Sequence, residues 1–182
     1  MKIILASASP RRRELLSQIV KDFEIIPAKG EECADNSLPP ERIAERLAEN
    51  KCGEVFEKNN GALVIGCDTI VVYNGVILGK PRSAEDAVST LKMLSGRTHS
   101  VITGVCVRCG NKKITASERT EVRFNDLSED FIKTYVAGGS PMDKAGSYGI
   151  QDGGVVKSYS GSYTNVVGLP VELVKKIIEE VR

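Results

Sequence analysis

The chain has 182 residues, of which 41% are hydrophobic and 27% are charged, and its formal net charge is +1. This length and composition predict a single soluble domain over residues 1–182 with a substantial core. A charge near zero, with 5% aromatic residues, argues against a nucleic-acid-binding protein, and no apolar run approaches the roughly 20 residues that span a bilayer.

The N-terminus lacks the long apolar core of a signal peptide. Five cysteines, odd in number and mostly in apolar contexts, are typical of reduced thiols. We therefore expect a cytoplasmic protein without a nucleic-acid or membrane partner.

The first predicted elements are a short apolar strand at residues 3–5 and a helix that begins with arginines. Ser9 and Pro10 predict the N-cap and the first helical residue. Three arginines then fall in the first turn: Arg11, Arg12 and Arg13. A cation there is unfavourable by about 0.3–1 kcal/mol, because that helix end carries partial positive charge. A bound anion would remove this penalty, so the pattern predicts a phosphate site, with a solvated basic turn as the alternative.

A strand at residues 23–27 and a polar loop at 28–40 come before a helix predicted over residues 40–58. Glu31 and Glu32 are adjacent in the loop, where such carboxylates are either simply solvated or hold a hard cation. Lys51 falls in an apolar row of the helix. Its side chain either extends to the edge of the core or directs its ammonium group into a cleft.

The apolar run at residues 63–73 predicts a buried strand that contains Asp68. A buried carboxylate requires a cation or hydrogen-bond donors, although a structural aspartate bonded to a loop is the alternative. Gly66 would let another group approach this strand closely. An Asn-Gly turn at residues 74–75 predicts a hairpin to residues 76–78. Pro81 holds the residue before it, Lys80, extended at the end of that strand.

The helix predicted over residues 83–94 obeys the dipole rule that the first helix breaks. Ser83 caps it, Glu85 and Asp86 occupy its first turn, and Gly96 ends it. This contrast favours a functional origin for the arginine cluster.

The rest of the chain predicts strands at residues 100–107, 113–124 and 155–159, a helix from 126–128 to about 136, and a last helix that begins at Pro170. The glycine-rich stretch at 143–154 is either an ordered loop that lines a site or plain turns. Cys106 and Cys109 form a lone CxxC pair, and His99 is the only histidine, which disfavours a zinc or redox site.

These pieces favour phosphoanhydride hydrolysis. Lysine and arginine side chains can hold a polyanion, and carboxylates can hold a divalent metal and accept a proton from water. No Ser-His-Asp set is indicated, because the single histidine has no evident partners in the sequence.

Several motifs, in order, closely resemble the Maf family of nucleoside triphosphate pyrophosphatases, once named for inhibition of septum formation. The motifs are LASASPRRRELL at 5–16, GCDTIVV at 66–72, GKP at 79–81, DKAGSYGIQ at 143–151 and GSYTNVVGLP at 161–170. The resemblance implies an α/β fold, similar to inosine triphosphate pyrophosphatases, in which an elongated mixed β-sheet flanked by helices forms two lobes around a cleft. It also implies cleavage between the α and β phosphates with a divalent cation, Mg²⁺ or Mn²⁺.

The resemblance assigns roles residue by residue. Asp68 corresponds to the general base and, together with Glu32, to a catalytic and metal-binding carboxylate, with Glu31 left open in place of Glu32. The implied phosphate-binding residues are Ser7, Arg11, Lys51 and Lys80. The trio that marks the branch acting on dTTP and UTP, rather than the branch acting on 7-methyl-GTP, is Arg12, Thr69 and Gln151.

The expected function is therefore hydrolysis of dTTP, UTP and modified pyrimidine nucleotides to the monophosphate and pyrophosphate, with a link to cell division arrest. The alternative is a nucleotide-sensing protein that regulates division and hydrolyses incidentally. The expected partner is the nucleoside triphosphate, and a homodimer is left open as an assembly.

Overall fold

A seven-stranded mixed sheet forms the centre of the computed structural model, which describes residues 1–30 and 37–182. The strands are β1 (Ile3–Leu5), β2 (Glu24–Ile25), β3 (Leu63–Tyr73), β4 (Val76–Leu78), β5 (Thr98–Cys109), β6 (Lys112–Phe124) and β7 (Val156–Ser160). The helices are α1 (Pro10–Ser17), α2 (Pro40–Glu57), α3 (Ala84–Leu94), α4 (Glu129–Ala137), α5 (Tyr163–Val167) and α6 (Val171–Val181). Three 3-10 turns follow α4, at Ser140–Asp143, Ala145–Ser147 and Ile150–Asp152.

The strand order is β2-β1-β3-β5-β6-β7, and β4 pairs with β3. β1 runs parallel to both of its neighbours, β2 and β3. The remaining neighbours in this order, β3 with β5, β5 with β6 and β6 with β7, are antiparallel. Along one edge of β3, β1 pairs with residues 63–65 and β4 pairs with residues 71–73. Residues 66–70 therefore have no strand partner on that side within the described chain, and the sheet opens there.

Helix α2 packs unusually close to the sheet because two glycines lie beneath it. A Cβ on Gly66 would lie 2.4 Å from the carbonyl oxygen of Ala48, and one on Gly104 would lie 2.1 Å from that of Ala44. Real Cβ atoms do not approach backbone so closely, so only glycine permits this packing. The close approach predicted for Gly66 is confirmed, and it places the later turns of α2 against the open part of β3.

Two apolar clusters lie at opposite ends of the molecule. In the first, α1 and α6 pack on β1, β3 and β5, and Leu16, Ile65 and Val174 are fully buried. In the second, α3 and α4 pack on β5 and β6 around Leu91, Ile132 and other buried side chains. Both clusters lie on one face of the sheet, and α2 covers the other face, where it packs on Val64 and Ile102. The two faces are therefore both covered, as the predicted α/β fold requires. No helix in the described ranges has the length and apolar character needed to cross a bilayer.

The long elements match the sequence predictions, and the short ones differ. α1 ends at Ser17 because the N–H groups of Gln18 and Ile19 bond three residues back, a 3-10 tightening that stops the helix. β2 has two residues rather than five, and α5 was not predicted.

Candidate active site

A cleft of about 680 Å³ lies where the edge of β3 opens, between α1, α2 and the 3-10 turns. All but one of the site residues predicted from the sequence line it: Ser7, Arg11, Arg12, Lys51, Asp68, Thr69, Lys80 and Gln151. The exception is Glu32, which lies outside the described residues, as does Glu31. Five stretches that are far apart in the sequence therefore meet at one site.

The N-terminus of α1 forms one wall of the cleft. Ser9 caps the helix as predicted, because its hydroxyl accepts a hydrogen bond from the Arg12 backbone N–H at 3.4 Å. Leu15 and Leu16 are buried and hold the helix against the core. Arg11 and Arg12 line the cleft, whereas Arg13 is exposed and lies outside it. Two arginines of the cluster, not three, are therefore available to a ligand in this cleft.

Arg12 is held by three hydrogen bonds. Its Nε donates to the carbonyl oxygen of Gly168 at 2.8 Å, its Nη1 to Ser7 Oγ at 3.2 Å and its Nη2 to Thr69 Oγ1 at 3.0 Å. These bonds connect α1 to β3 and to the loop before α6. The guanidinium group is thus fixed in position before any ligand arrives.

Arg11 reaches across the cleft. Its Nη1 lies 2.9 Å from Asp143 Oδ2, and Lys144 Nζ lies 3.0 Å from the other oxygen of the same carboxylate. Burial opposes ionisation of Asp143, but the hydrogen bonds from Lys144 and Arg11 outweigh it and lower the pKa of Asp143. Sequence reasoning gave Asp143 no role, and only its place in the DKAGSYGIQ motif could have drawn attention to it.

Asp68 and Lys51 form the floor of the cleft. Asp68 is 6% exposed, and its Oδ1 contacts the ammonium group of Lys51. A carboxylate that is buried requires such a cation, because removing an unpaired charge from water costs several kcal/mol. Of the two alternatives for Lys51, the structure supports an ammonium group directed into the cleft.

Thr69 follows Asp68 but faces the opposite side of the sheet, toward α1 and α5. Its Oγ1 lies 2.9 Å from Thr103 Oγ1, and Thr103 donates to the carbonyl oxygen of Asn165 at 3.0 Å.

Gln151 is exposed in the last 3-10 turn, at the margin of the cleft. The glycine-rich stretch is therefore an ordered loop that lines the cleft.

Lys80 is also exposed, at the rim of the cleft beyond the end of β4.

The described residues contain no cluster of three or more potential metal ligands. Asp68 nevertheless offers a hard carboxylate oxygen within the cleft, and Asp143 also lines it. Mg²⁺ and similar ions commonly bind one or two carboxylates together with substrate phosphate oxygens and water. The residues present fit a cation that arrives with a triphosphate better than a cation held by protein ligands alone.

A family model for Maf-like proteins matches residues 2–181. The chain belongs to the Maf-like protein family. It is 46% identical to a dTTP/UTP pyrophosphatase of Thermococcus gammatolerans, over 97% of this chain and 95% of the relative. It is 45% identical to a dTTP/UTP pyrophosphatase of Bacillus velezensis, over 98% and 96%.

Among solved structures, this Maf-like protein resembles the Ham1 protein of Staphylococcus aureus. The TM-score is 0.54 at 14% sequence identity, and the match covers 100% of both chains. At this identity the likeness concerns the fold alone, and it agrees with the predicted mixed α/β architecture.

Proposed function

We propose that this Maf-like protein hydrolyses dTTP and UTP between the α and β phosphates, giving the nucleoside monophosphate and pyrophosphate. The observation that carries the proposal is the partly buried Lys51–Asp68 pair on the floor of a cleft whose walls carry further cations. The names of the relatives, dTTP/UTP pyrophosphatases at 45–46% identity, support the same activity and substrates.

In this proposal the triphosphate lies across the N-terminus of α1. The free N–H groups and partial positive charge of that helix end favour an anion. Arg11 exchanges its bond to Asp143 for a phosphate oxygen, and Lys80 approaches from the opposite rim. Ser7, whose hydroxyl accepts from Arg12 and from the Ser9 N–H, completes the phosphate-binding wall.

Asp68 acts as the general base. Its carboxylate takes a proton from a water molecule, whose oxygen forms the new bond to the α phosphorus. The bond from that phosphorus to the bridging oxygen breaks, and pyrophosphate leaves with the electron pair. Lys51 shares its charge between Asp68 and the phosphates and so stabilises negative charge as it develops.

We also propose a divalent cation, Mg²⁺ or Mn²⁺, held by Asp68 together with the phosphate oxygens, and by Glu32 or Glu31. When bound, it would neutralise phosphate charge and polarise the reacting phosphate. The base edge is read by Thr69 and Gln151, and Arg12 fixes Thr69 in place. A cytoplasmic location is proposed with this activity, because nucleoside triphosphates are abundant there.

The direct test is a panel of nucleoside triphosphates with detection of pyrophosphate, with and without Mg²⁺ or Mn²⁺, on the parent and on Asp68→Asn. Removing the base should lower kcat for dTTP by about 10²–10⁴-fold, with the fold retained. Asp130→Asn in the first turn of α4, outside the cleft, is the matched control and should leave kcat unchanged. Turnover of dTTP by Asp68→Asn at the parental rate would show that the base is another group.

A further inference from the structure

A chain of hydrogen bonds runs from the cleft into the buried interior between β3, β5 and α5. Arg12 Nη2 lies 3.0 Å from Thr69 Oγ1, which lies 2.9 Å from Thr103 Oγ1. Thr103 Oγ1 in turn lies 3.0 Å from the carbonyl oxygen of Asn165. Thr103 is fully buried and does not line the cleft, so it cannot touch a ligand there.

The two ends of this chain fix the direction of every hydrogen bond in it. A carbonyl oxygen only accepts, so the single hydroxyl proton of Thr103 goes to Asn165. Thr103 must then accept from Thr69, whose own proton is used in that bond. An arginine only donates, so Thr69 accepts from Arg12. One acceptor position remains on Thr69 Oγ1, and no proton remains for a ligand.

The far end of this chain of hydrogen bonds, at Asn165, is held in place by further hydrogen bonds. Asn165 is fully buried, and its Nδ2 donates to the carbonyl oxygen of Val101 at 3.1 Å and to Thr120 Oγ1 at 2.9 Å. These bonds attach α5 to β5 and β6. The carbonyl oxygen of Asn165 also accepts from the Gly168 N–H at 3.0 Å, so it stays paired if the Thr103 hydroxyl is removed.

We propose that Thr103 is a specificity-determining positioning residue, which commits the proton of Thr69 so that Thr69 can only accept a hydrogen bond from the base. The inference rests on the proposed function, in which Thr69 contacts the base edge. Uracil and thymine each have a single N–H donor on that edge, the imide N3–H. Cytosine carries an unprotonated N3 at the same place, and two acceptors would face each other there. The arrangement thus selects imide pyrimidines over cytosine.

The test compares kcat/KM for UTP and CTP in the parent, Thr103→Val and Thr103→Ser. The parent should favour UTP. In Thr103→Val the Thr69 proton is released and can turn toward N3 of cytosine, so the UTP:CTP ratio should fall by about tenfold, the scale of one hydrogen bond. Thr103→Ser keeps a hydroxyl and should retain the parental ratio.

Thr115→Val on β6, which pairs with Cys106 and lies outside the cleft, is the matched control and should leave the ratio unchanged. Thr103→Ala provides the same comparison if Thr103→Val does not fold. An equal loss of activity on both substrates would mark Thr103 as merely structural and overturn the inference. So would an unchanged ratio in Thr103→Val, or a parent that turns over CTP as well as UTP. Absence of pyrophosphate release from UTP and dTTP by the parent would instead overturn the proposed function itself, and the inference with it.

Discussion

Helices α1 and α3 begin with the same serine cap but with opposite charges. The hydroxyl of Ser9 accepts from the N–H three residues on, and that of Ser83 does the same. The first turn of α3 then holds Glu85 and Asp86, as the helix dipole favours, whereas that of α1 holds arginines and no acidic residue. α1 opens onto the cleft and α3 does not. The comparison teaches that the unfavourable local charge pattern belongs to the helix end that opens onto the cleft.

The comparison also separates neighbours within α1. Arg11 and Arg12 line the cleft, and Arg13 does not. All three arginines of this turn therefore interact unfavourably with the helix dipole. Only those that face the cleft are expected to contribute to substrate binding.

Among the tests of this comparison, the largest effect should come from Arg11→Ala. Losing a charged hydrogen bond to phosphate costs about 1.5–3 kcal/mol, which corresponds to a roughly 10–100-fold rise in KM for dTTP. Arg13→Ala, in the same turn and of the same chemistry, is the control and should leave KM unchanged. Steady-state kinetics of the two variants decides between them. Equal KM values for both variants would break the distinction between the arginines.

A second test concerns the region that packs with α3 and α4. The arginines of α1 keep their charge at every working pH, whereas the buried His99 in this second region can gain a charge as the pH falls. His99 is 2% exposed, donates to or accepts from the Tyr148 hydroxyl at 2.8 Å and packs against Phe124. Burial lowers the pKa of His99 from 6.5 to about 4, against a smaller opposing effect of Glu121. The unfolded chain therefore binds more protons between these two values, and stability should fall as the pH falls through that window.

His99 is the only histidine, so the effect should be isolated. The free energy of unfolding should drop by about 2 kcal/mol between pH 7 and pH 5, at 1.36 kcal/mol per pKa unit. Urea denaturation measures it, and His99→Gln should flatten the profile. A parent equally stable at both pH values would contradict the buried, neutral imidazole.

The smallest effect is expected from Arg13→Glu, which makes the first turn of α1 resemble that of α3. An acidic side chain at this end should raise the free energy of unfolding by about 0.3–1 kcal/mol, and less in high salt. Activity should stay unchanged because Arg13 lies outside the cleft. Chemical denaturation at low and high ionic strength checks the first statement. Destabilisation by this substitution would count against the dipole argument.

Local patterns in the sequence predicted most of the framework. Long apolar runs predicted β3 and the region of β5, the helical spacing of apolar residues predicted α2, and the Asn-Gly pair predicted the β3–β4 hairpin, where Asn74 and Gly75 both adopt positive φ. These features depend on near neighbours in the chain, which a sequence displays directly. The five-residue helix α5 was not predicted because it is short and glycines flank it, although Ser162 caps it in the same way as the other serines.

The side chains that line the cleft were predicted in part. Asp68 and Lys51 stood out because each places a charge within an apolar pattern. The Arg11–Asp143 pair joins residues 132 positions apart, and Thr103 reaches Thr69 only across the pairing of two strands, so no local pattern could connect them to the cleft. Such links follow from strand pairing and helix packing, which exist only once the chain has folded.

The central claim is that the phosphates of the substrate occupy the N-terminus of α1. A crystal structure with a dUTP analogue carrying a methylene group between the α and β phosphorus atoms tests it most directly. Phosphate oxygens should lie within hydrogen-bond distance of Arg11 and of the first N–H groups of α1, and the Arg11–Asp143 pair should be broken. A triphosphate bound elsewhere, with Arg11 still on Asp143, would contradict it.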